Sequence, residues 1–278
     1  AISTTSELVK ISSDGNLGLE EGQKFERGGI YRFTVDVTKG NTKAVLTVEK
    51  VGKVDLPAPD IFFGNDKMEV TDTDIYKSDQ AFTQGQMITV TGIDNLNEWW
   101  IDPDFFEKQS DGALKFLPIN GDYRVTANAV LKYFSVMALK DGKPAKLQDD
   151  GTGAIWAIGK GIGKPSVTSS EVGWEPGKAL CLAQVAPKKY QLTLKAGETL
   201  KTSGDSEVIS FKFFHQNDWG GEFGNYANSI LVEQLKLTDS GNLEMQDNKA
   251  FEEGAVYRFT IDVTNGNANA DLKVEKIN

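Results

Sequence analysis

Apolar and polar residues alternate along short segments of the chain, and the alternation is clearest over residues 31–38. There the odd positions are apolar and the even positions are polar. This period of two predicts a β-strand with one buried face. Gly40-Asn41 then marks a turn, and alternate positions from Ala44 to Val48 are apolar again. The pattern therefore predicts a β-hairpin.

The same pattern occurs again near the other end of the sequence. Residues 1–51 and 227–277 align without a gap, and 24 of the 51 positions are identical. A weaker third copy lies at 121–136. A repeat at fixed offset predicts an array of one module, and arrays suit extended or multivalent contact better than a single catalytic cleft.

We therefore predict an all-β chain of tandem Ig-like antiparallel β-sandwich modules. Its domains would be a partial module at 1–52, a middle module at 53–150 and a complete module at 151–278. The first module has no counterpart of the front half of the last one, which would leave a sheet edge open. Either residues that precede or interrupt this stretch are missing from the sequence, or the half-module takes its partner strands from elsewhere. We favour the first interpretation.

Several aromatic residues fit the cores of these modules. Trp156 alternates with apolar neighbours on one predicted strand face. Tyr31 and Phe33, with their counterparts Tyr257 and Phe259, are also expected in the core. The only helical spacing is the short stretch 104–108.

Composition narrows the functional classes. Hydrophobic residues make up 39% and charged residues 25% of the 278 positions, as in ordered globular proteins. The net charge of −10 argues against nucleic acid, whose phosphates require a basic surface. No run approaches the 18 apolar residues of a membrane span.

Catalytic chemistry has little support in the sequence. His215 is the only histidine and Cys181 the only cysteine, and Cys181 lies in an apolar run typical of a buried residue. Zinc sites and Ser-His-Asp sites usually need more than this. We expect no catalytic residue, no bound metal and no cofactor.

Acidic pairs allow two further hypotheses. Asp102-Pro103-Asp104 and Asp149-Asp150-Gly151 could hold Ca²⁺, although neither has the spacing of an EF-hand loop. Carboxylate pairs could also belong to a glycosidase. With 40 acidic residues such pairs arise by chance, so we expect solvated loop charges instead.

Tryptophans in polar loops carry the main functional hypothesis. An exposed indole beside amide and carboxylate groups suits a sugar ring, whose C–H face stacks on the indole while its hydroxyl groups form hydrogen bonds. Two candidate sites follow from the sequence. The site in the last module would contain Trp174, Trp219, Asn217, Asp218 and Glu222, and the site in the middle module would contain Trp99, Trp100, Asn97 and Asp102.

The last module also resembles a known family. The residues that carry this resemblance are Phe211-Lys212-Phe213, Trp219, Gly224, Gly241-Asn242-Leu243, Gly254 to Tyr257, Asp262-Val263-Thr264, the run from Ile155 to Gly159, and Gly173-Trp174. They are similar to the tandem β-sandwich modules of the SusE/SusF family of outer-membrane lipoproteins from glycan-foraging Gram-negative bacteria. The resemblance covers 153–278 and 1–51, and it is loose over 55–150.

That resemblance implies a non-catalytic protein that binds starch or another polysaccharide or oligosaccharide at the cell surface. It implies an outer-membrane glycan transporter complex as a partner. It also implies a lipid anchor on an N-terminal segment outside this chain. The alternative hypothesis is a structural spacer or protein-interaction array of Ig-like domains without sugar binding.

Overall fold

The computed structural model describes residues 2–21 and 23–278 and is nearly all β. It confirms the predicted all-β class with antiparallel sheets packed as sandwiches. Within these described residues the only α-helix is α1 (Val167–Ser170). Short 3-10 turns lie at Asn41–Lys43, Leu96–Glu98, Pro176–Lys178 and Asn267–Asn269. The chain divides into two compact units, Ala1–Pro59 and Asp60–Asn278.

The described part of the first unit, residues 2–21 and 23–59, consists of two hairpins and one short added strand. Its strands are β1 (Ser3–Thr4), β2 (Val9–Ile11), β3 (Leu17–Leu19), β4 (Gly29–Asp36) and β5 (Val45–Lys53). β2 pairs with β3, while β5 lies between β1 and β4. The alternation over residues 31–38 thus forms the predicted strand and hairpin.

The second unit begins with the middle part of the sequence. Its strands are β6 (Phe62–Phe63), β7 (Asp66–Lys67), β8 (Glu69–Asp72), β9 (Ile75–Phe82), β10 (Met87–Ile88), β11 (Val90–Thr91), β12 (Phe106–Lys108), β13 (Leu114–Phe116), β14 (Gly121–Asn128), β15 (Tyr133–Lys140) and β16 (Lys143–Pro144). The largest sheet has the order β16-β15-β14-β9-β8. The helical spacing at 104–108 was misleading, because residues 103–105 form a turn and residues 106–108 are β12 itself.

Buried phenylalanines form the core of this middle part. The ring of Phe63 lies 5.2 Å from that of Phe134 and 5.6 Å from that of Phe106. Phe116 stacks on Phe82 at 4.8 Å. These rings come from different sheets, so the aromatic contacts hold the sheets together.

The last part of the chain is a two-sheet sandwich. Its strands are β17 (Trp156–Gly163), β18 (Glu171–Gly173), β19 (Leu180–Cys181), β20 (Ala183–Ala186), β21 (Lys189–Lys195), β22 (Ser210–Phe214), β23 (Asn228–Ile230), β24 (Leu235–Leu237), β25 (Leu243–Met245), β26 (Val256–Asp262) and β27 (Asp271–Lys276). One sheet has the order β18-β17-β22-β25-β24, with β19 also paired to β17, and the other has the order β20-β21-β26-β27-β23. Phe211 from the first sheet packs on Phe259 from the second, with ring centroids 5.5 Å apart.

The expected core residues behave differently in the two repeats. Trp156, Tyr257 and Phe259 are buried, as the sequence predicts. Phe33, the counterpart of Phe259, is 49% exposed, so its assignment to a core was wrong. The reason is that the rings of Phe211 and Phe213 from the opposite sheet cover Phe259, whereas among the described residues the only ring in contact with Phe33 is that of Phe25.

Across residues 2–21 and 23–278, no helix has the length and apolar character needed to cross a membrane.

Candidate functional site

Trp174 and Trp219, which the sequence assigns to one site from 45 positions apart, lie side by side in the structure. Their ring centroids are 6.3 Å apart and their planes differ by 25°. Trp219 is 51% exposed and Trp174 is half-buried. The two indoles therefore form one near-parallel aromatic pair at the surface, which we call the Trp pair.

Strand direction explains why these rings meet. β18 and β22 flank β17 on opposite sides, and both run antiparallel to it. Their carboxyl ends, Gly173 and Phe214, therefore lie toward the same end of β17, where the register pairs them with Gly159 and Trp156. Trp174 follows β18 directly and Trp219 lies in the loop after β22, so both rings come from the same end of the sheet.

The loop that carries Trp219 is closed by its own hydrogen bonds. The His215 N–H donates to the Gly221 carbonyl oxygen at 2.7 Å. The Gln216 amide donates to the Trp219 carbonyl oxygen at 2.6 Å. Gly220 and Gly221 both have positive φ values, which allows the chain to turn back immediately after Trp219. Because its backbone is held, the ring needs little ordering when a ligand binds.

Below the Trp pair, Phe214 supports the outer ring. Its centroid lies 6.0 Å from that of Trp219 in an edge-to-face arrangement, and Phe214 is itself buried. Phe214 was not among the residues that the sequence predicted for this site. The signal was its position at the end of an apolar strand just before the polar loop.

The predicted polar partners are divided between two places. Asp218 is exposed next to Trp219, and one of its carboxylate oxygens accepts the Trp219 N–H at 2.7 Å. Asn217 is half-buried in the same loop. Glu222 lies beyond the turn and lines a separate shallow cleft with His215 and Asn225. Asp218 and Asn217 therefore remain near the Trp pair, whereas Glu222 belongs to the neighbouring cleft.

The second predicted site does not assemble as expected. Trp99 is only 7% exposed and its ring stacks on Phe134 at 4.7 Å, so it is a core residue and not a ligand platform. Trp100, which faces the other way, is half-buried and donates its indole N–H to Glu198 Oε1 at 2.8 Å. Asn97 is exposed and lines a different cleft, with Asn95.

Asp102 is not available as a sugar partner because it is buried in an ion pair. Both of its carboxylate oxygens accept hydrogen bonds from Lys164 Nζ at 2.8 Å. Asp104 Oδ2 lies 3.0 Å from the same nitrogen, and all three side chains are buried. The expectation that the 102–104 carboxylates are solvated was wrong, since their partner lies about 60 positions away in sequence.

Asp104 is the most fully satisfied member of this cluster. Besides Lys164, it accepts the Gln191 amide at 2.7 Å and both the N–H and the hydroxyl group of Thr193 at 2.6 Å. Burial alone would raise the pKa of Asp104, but Lys164 and these hydrogen bonds outweigh it and hold the pKa below its usual value. Through the hydrogen bonds of Asp104 to Gln191 and Thr193, the cluster connects the middle part of the chain to β21 of the last part.

The other two members respond differently to burial. Burial raises the pKa of Asp102, because Lys164 offsets only part of the desolvation. Burial alone would lower the pKa of Lys164, but Asp102 and Asp104 outweigh it and raise that pKa. The cluster thus favours a charged lysine between the two carboxyl groups.

A cleft of about 580 Å³ lies beside this cluster. Trp100 and Tyr133 line it from the middle part, and Lys164 and Ser169 line it from the last part. Lys164 Nζ is 5.9 Å from the centre of the Trp100 ring. Asp102 and Lys164 in its lining already pair with each other, so the cleft offers a ligand mainly aromatic and aliphatic surface with some hydroxyl groups.

The acidic pairs at 102–104 and 149–150 were also possible calcium ligands by sequence. Among residues 2–21 and 23–278, no group of three or more His, Cys, Asp or Glu side chains is arranged to hold a metal ion. Asp150 instead accepts the N–H and the hydroxyl group of Thr152, at 2.9 and 2.6 Å. These bonds hold a local turn and lower the pKa of Asp150.

Cys181 lies on β19 and lines the cleft that Trp100 and Lys164 also line. We expect its thiol to be unreactive in the folded protein. It is buried, and burial raises the pKa of its thiol to about 12, so almost no thiolate exists near neutral pH. Iodoacetamide at pH 8 should label the native chain far more slowly than the urea-unfolded chain, as followed by mass spectrometry. Stoichiometric labelling of the native chain at the unfolded rate would contradict this expectation.

Two protein families match different parts of the sequence. Residues 54–147 match a family described as "Domain of unknown function (DUF5125)". Residues 1–38 and 150–264 match one described as "Domain of unknown function (DUF5121)", and this second match includes both members of the Trp pair. No curated protein matches the sequence. Because the second match spans more than half of the 278 residues, the chain belongs to the DUF5121 family.

Proposed function

We propose that this protein binds polysaccharides or oligosaccharides without catalysis, and that the Trp pair is the platform for the sugar. The observation that carries the proposal is the near-parallel arrangement of two indoles in loops at one end of a sandwich, one ring being half exposed. Indole faces stack on the C–H faces of sugar rings, and nearby amide or carboxylate groups hydrogen-bond the hydroxyl groups. Asn217 and Asp218 supply such groups beside Trp219.

The expected affinity is modest. Removing about 60 Å² of apolar area from water at ~25 cal/mol/Å² stabilises the complex by roughly 1.5 kcal/mol for each ring. Two rings and a few hydrogen bonds give an affinity in the ~mM to ~μM range after the cost of association. A weak site of this kind becomes effective when several sites contact one polymer.

The sequence resemblance to SusE/SusF modules supports the same function. It also supports a location at the bacterial outer membrane and delivery of the glycan to a transporter complex. These remain parts of the proposal.

Removal of the Trp pair is the direct test. We expect Trp219→Ala to weaken retention by about tenfold, because ~1.4 kcal/mol corresponds to one decade of affinity. Trp174→Ala with Trp219→Ala should abolish retention. The measurement is affinity gel electrophoresis against a panel of soluble polysaccharides, followed by calorimetry with the polysaccharide that retains the parent chain.

Ile230→Ala is the matched control, since Ile230 is an exposed apolar residue on the same module but outside the Trp pair. It should leave retention unchanged. Unaltered retention of the double tryptophan variant on every polysaccharide would refute the assignment.

The alternative function is a spacer or protein-interaction array, and the exposed apolar face of the first unit favours it. The same panel separates the two functions. A parent chain that is retained by no glycan favours the spacer. Release of reducing sugar during incubation would instead indicate a glycosidase.

A further inference from the structure

The first unit exposes an apolar face that its repeat counterpart buries. Phe33 is 49% exposed where Phe259 is fully buried, and Val35 is 54% exposed where Ile261 is fully buried. We call this surface the open face, and its residues are Leu17, Leu19, Phe25, Phe33, Val35 and Val37. All six counterparts are buried: Leu243, Met245, Phe251, Phe259, Ile261 and Val263. The rings of Phe25 and Phe33 lie 6.2 Å apart, and clustered exposed apolar side chains of this kind mark an interaction site.

Two strand edges beside the open face are also unpaired. Among the described residues, β4 pairs only with β5 and β3 pairs only with β2. Their counterparts have additional neighbours, because β26 also pairs with β21 and β25 also pairs with β22. An unpaired edge next to an apolar face is suited to accept a further strand.

The β4–β5 hairpin of the first unit has the same turn conformation as its covered counterpart, the β26–β27 hairpin. Gly40 has a φ of 92° and its counterpart Gly266 has a φ of 93°. The Thr38 N–H donates to Asp36 Oδ1 at 2.8 Å, and the Thr264 N–H donates to Asp262 Oδ1 at 2.9 Å. The strand register also matches, from Tyr31↔Lys50 to Asp36↔Val45 in the first unit and from Tyr257↔Lys276 to Asp262↔Asp271 in the last module, so this part of the open face has the geometry of its buried counterpart.

The last module shows what covers such a face. Residues 154–226 supply β21, which runs antiparallel to β26 in seven consecutive pairs, from Lys189↔Asp262 to Lys195↔Val256. They also supply β22, whose Phe211 and Phe213 contact the ring of Phe259 at 5.5 and 6.4 Å. The covering segment thus provides an edge strand and apolar rings together.

Charge complementarity points to the same occupant. Lys189 Nζ on β21 lies 3.1 Å from Asp262 Oδ2. Asp36 occupies the corresponding position on β4, and it is exposed. A strand that docks in the β21 register would therefore bring a basic residue opposite Asp36.

We propose that the open face binds a polypeptide half-module of the same type as residues 154–226. The partner adds one antiparallel strand to the free edge of β4 and a second to the edge of β3. It covers Phe33 and Val35 with apolar side chains and places a basic side chain against Asp36. This inference is independent of the glycan proposal.

A duplicated half-module provides the first test. Ala1 corresponds to Ala227 in the repeat, so a second copy of residues 151–226 placed directly before Ala1 restores the connectivity of the last module. Hydrogen exchange of the full-length extended chain is compared with that of the parent chain. We expect the β4 amides on the free edge to exchange at least about 100-fold more slowly in the extended chain.

Matched substitutions in the first unit make the test specific. Val35→Asp lies on the open face and should remove the added protection. Val51→Asp should leave the added protection unchanged, because Val51 lies outside the open face. Val51 is 43% exposed, and its counterpart Ile277 is also exposed in the covered repeat, at 40%. Equal exchange in the parent and extended chains, or equal effects of the two substitutions, would overturn the proposal.

Co-refolding provides a second arm in case the extended chain does not fold. The intact parent chain and a separate 151–226 half-module are refolded together from urea and analysed by size exclusion with light scattering. A one-to-one complex that Val35→Asp abolishes supports the proposal, whereas no complex overturns it. A parent chain that dimerises alone with its β4 edge protected would identify a second copy as the occupant and would also overturn it.

Discussion

Lys164→Met is expected to lower the free energy of unfolding of the second unit by about 3–5 kcal/mol, because it leaves two buried carboxyl groups without their counter-charge. Lys164 Nζ is within 3.0 Å of Asp102 and Asp104, and the three side chains are almost inaccessible to water. Urea denaturation followed by tryptophan fluorescence measures the change. Exposure of the Cys181 thiol reports on the same unit.

Lys160→Met is the matched control for this substitution. Lys160 forms an exposed ion pair with Glu207 at 2.9 Å, and such pairs contribute only about 0–1 kcal/mol. Equal destabilisation by Lys160→Met and Lys164→Met would show that burial does not set the contribution of the cluster.

The pH dependence of the same cluster follows from the shift of Lys164. The pKa of Lys164 is raised above 10.5 in the folded chain, despite burial, by its two carboxyl partners. Because the folded pKa is higher than the unfolded one, this stabilisation is complete below pH 10.5 and is lost as the pH rises through the folded pKa. The stability difference between the parent chain and Lys164→Met should therefore shrink above that pH.

The second large effect is expected for Gly159→Ala. Gly159 on β17 has a φ of 142°, and a Cβ there would overlap the Phe211 Cα and the Ser210 carbonyl oxygen of β22. The overlapping atoms belong to the backbone, so they can move only if β17 and β22 separate. Strain of about 1–3 kcal/mol and overpacking of about 1–3 kcal/mol give an expected loss of about 4 kcal/mol in the free energy of unfolding.

Gly177→Ala is the control for this glycine. It lies in the Pro176–Lys178 turn, with nothing within 4 Å of an added Cβ and no left-handed backbone. Its free energy of unfolding, measured in the same urea titration, should stay within about 1 kcal/mol of the parent value. A Gly159→Ala variant as stable as Gly177→Ala would contradict the close packing of β17 on β22.

The candidate sites show which features could be predicted from residues close together in the sequence. Adjacent residues on an extended chain face opposite ways, which explains why Trp99 and Trp100 lie in different environments although the sequence assigned them to one site. Which of them packs in the core depends on Phe134, which comes from a different strand. Likewise, Asp102 gave no local sign of burial because Lys164 lies about 60 positions further on.

The members of the Trp pair could be predicted from the sequence. Both tryptophans lie in polar loops rich in glycine, and that composition identified them as one candidate platform. Their separation and the angle between them depend on β18 and β22 flanking β17 in the same direction. Sheet order of this kind is set by long-range pairing, which a window of sequence does not contain.

The two repeats separate these contributions most directly. The alternation of side chains by itself determined that β4 and β26 are strands with one apolar face, because the period of a pleated chain is local geometry. Whether that face is buried was decided by the tertiary structure, since Phe259 meets Phe211 across the sandwich whereas Phe33 remains exposed. Burial requires partner strands from elsewhere in space, and two repeats that share the same apolar alternation have different partners.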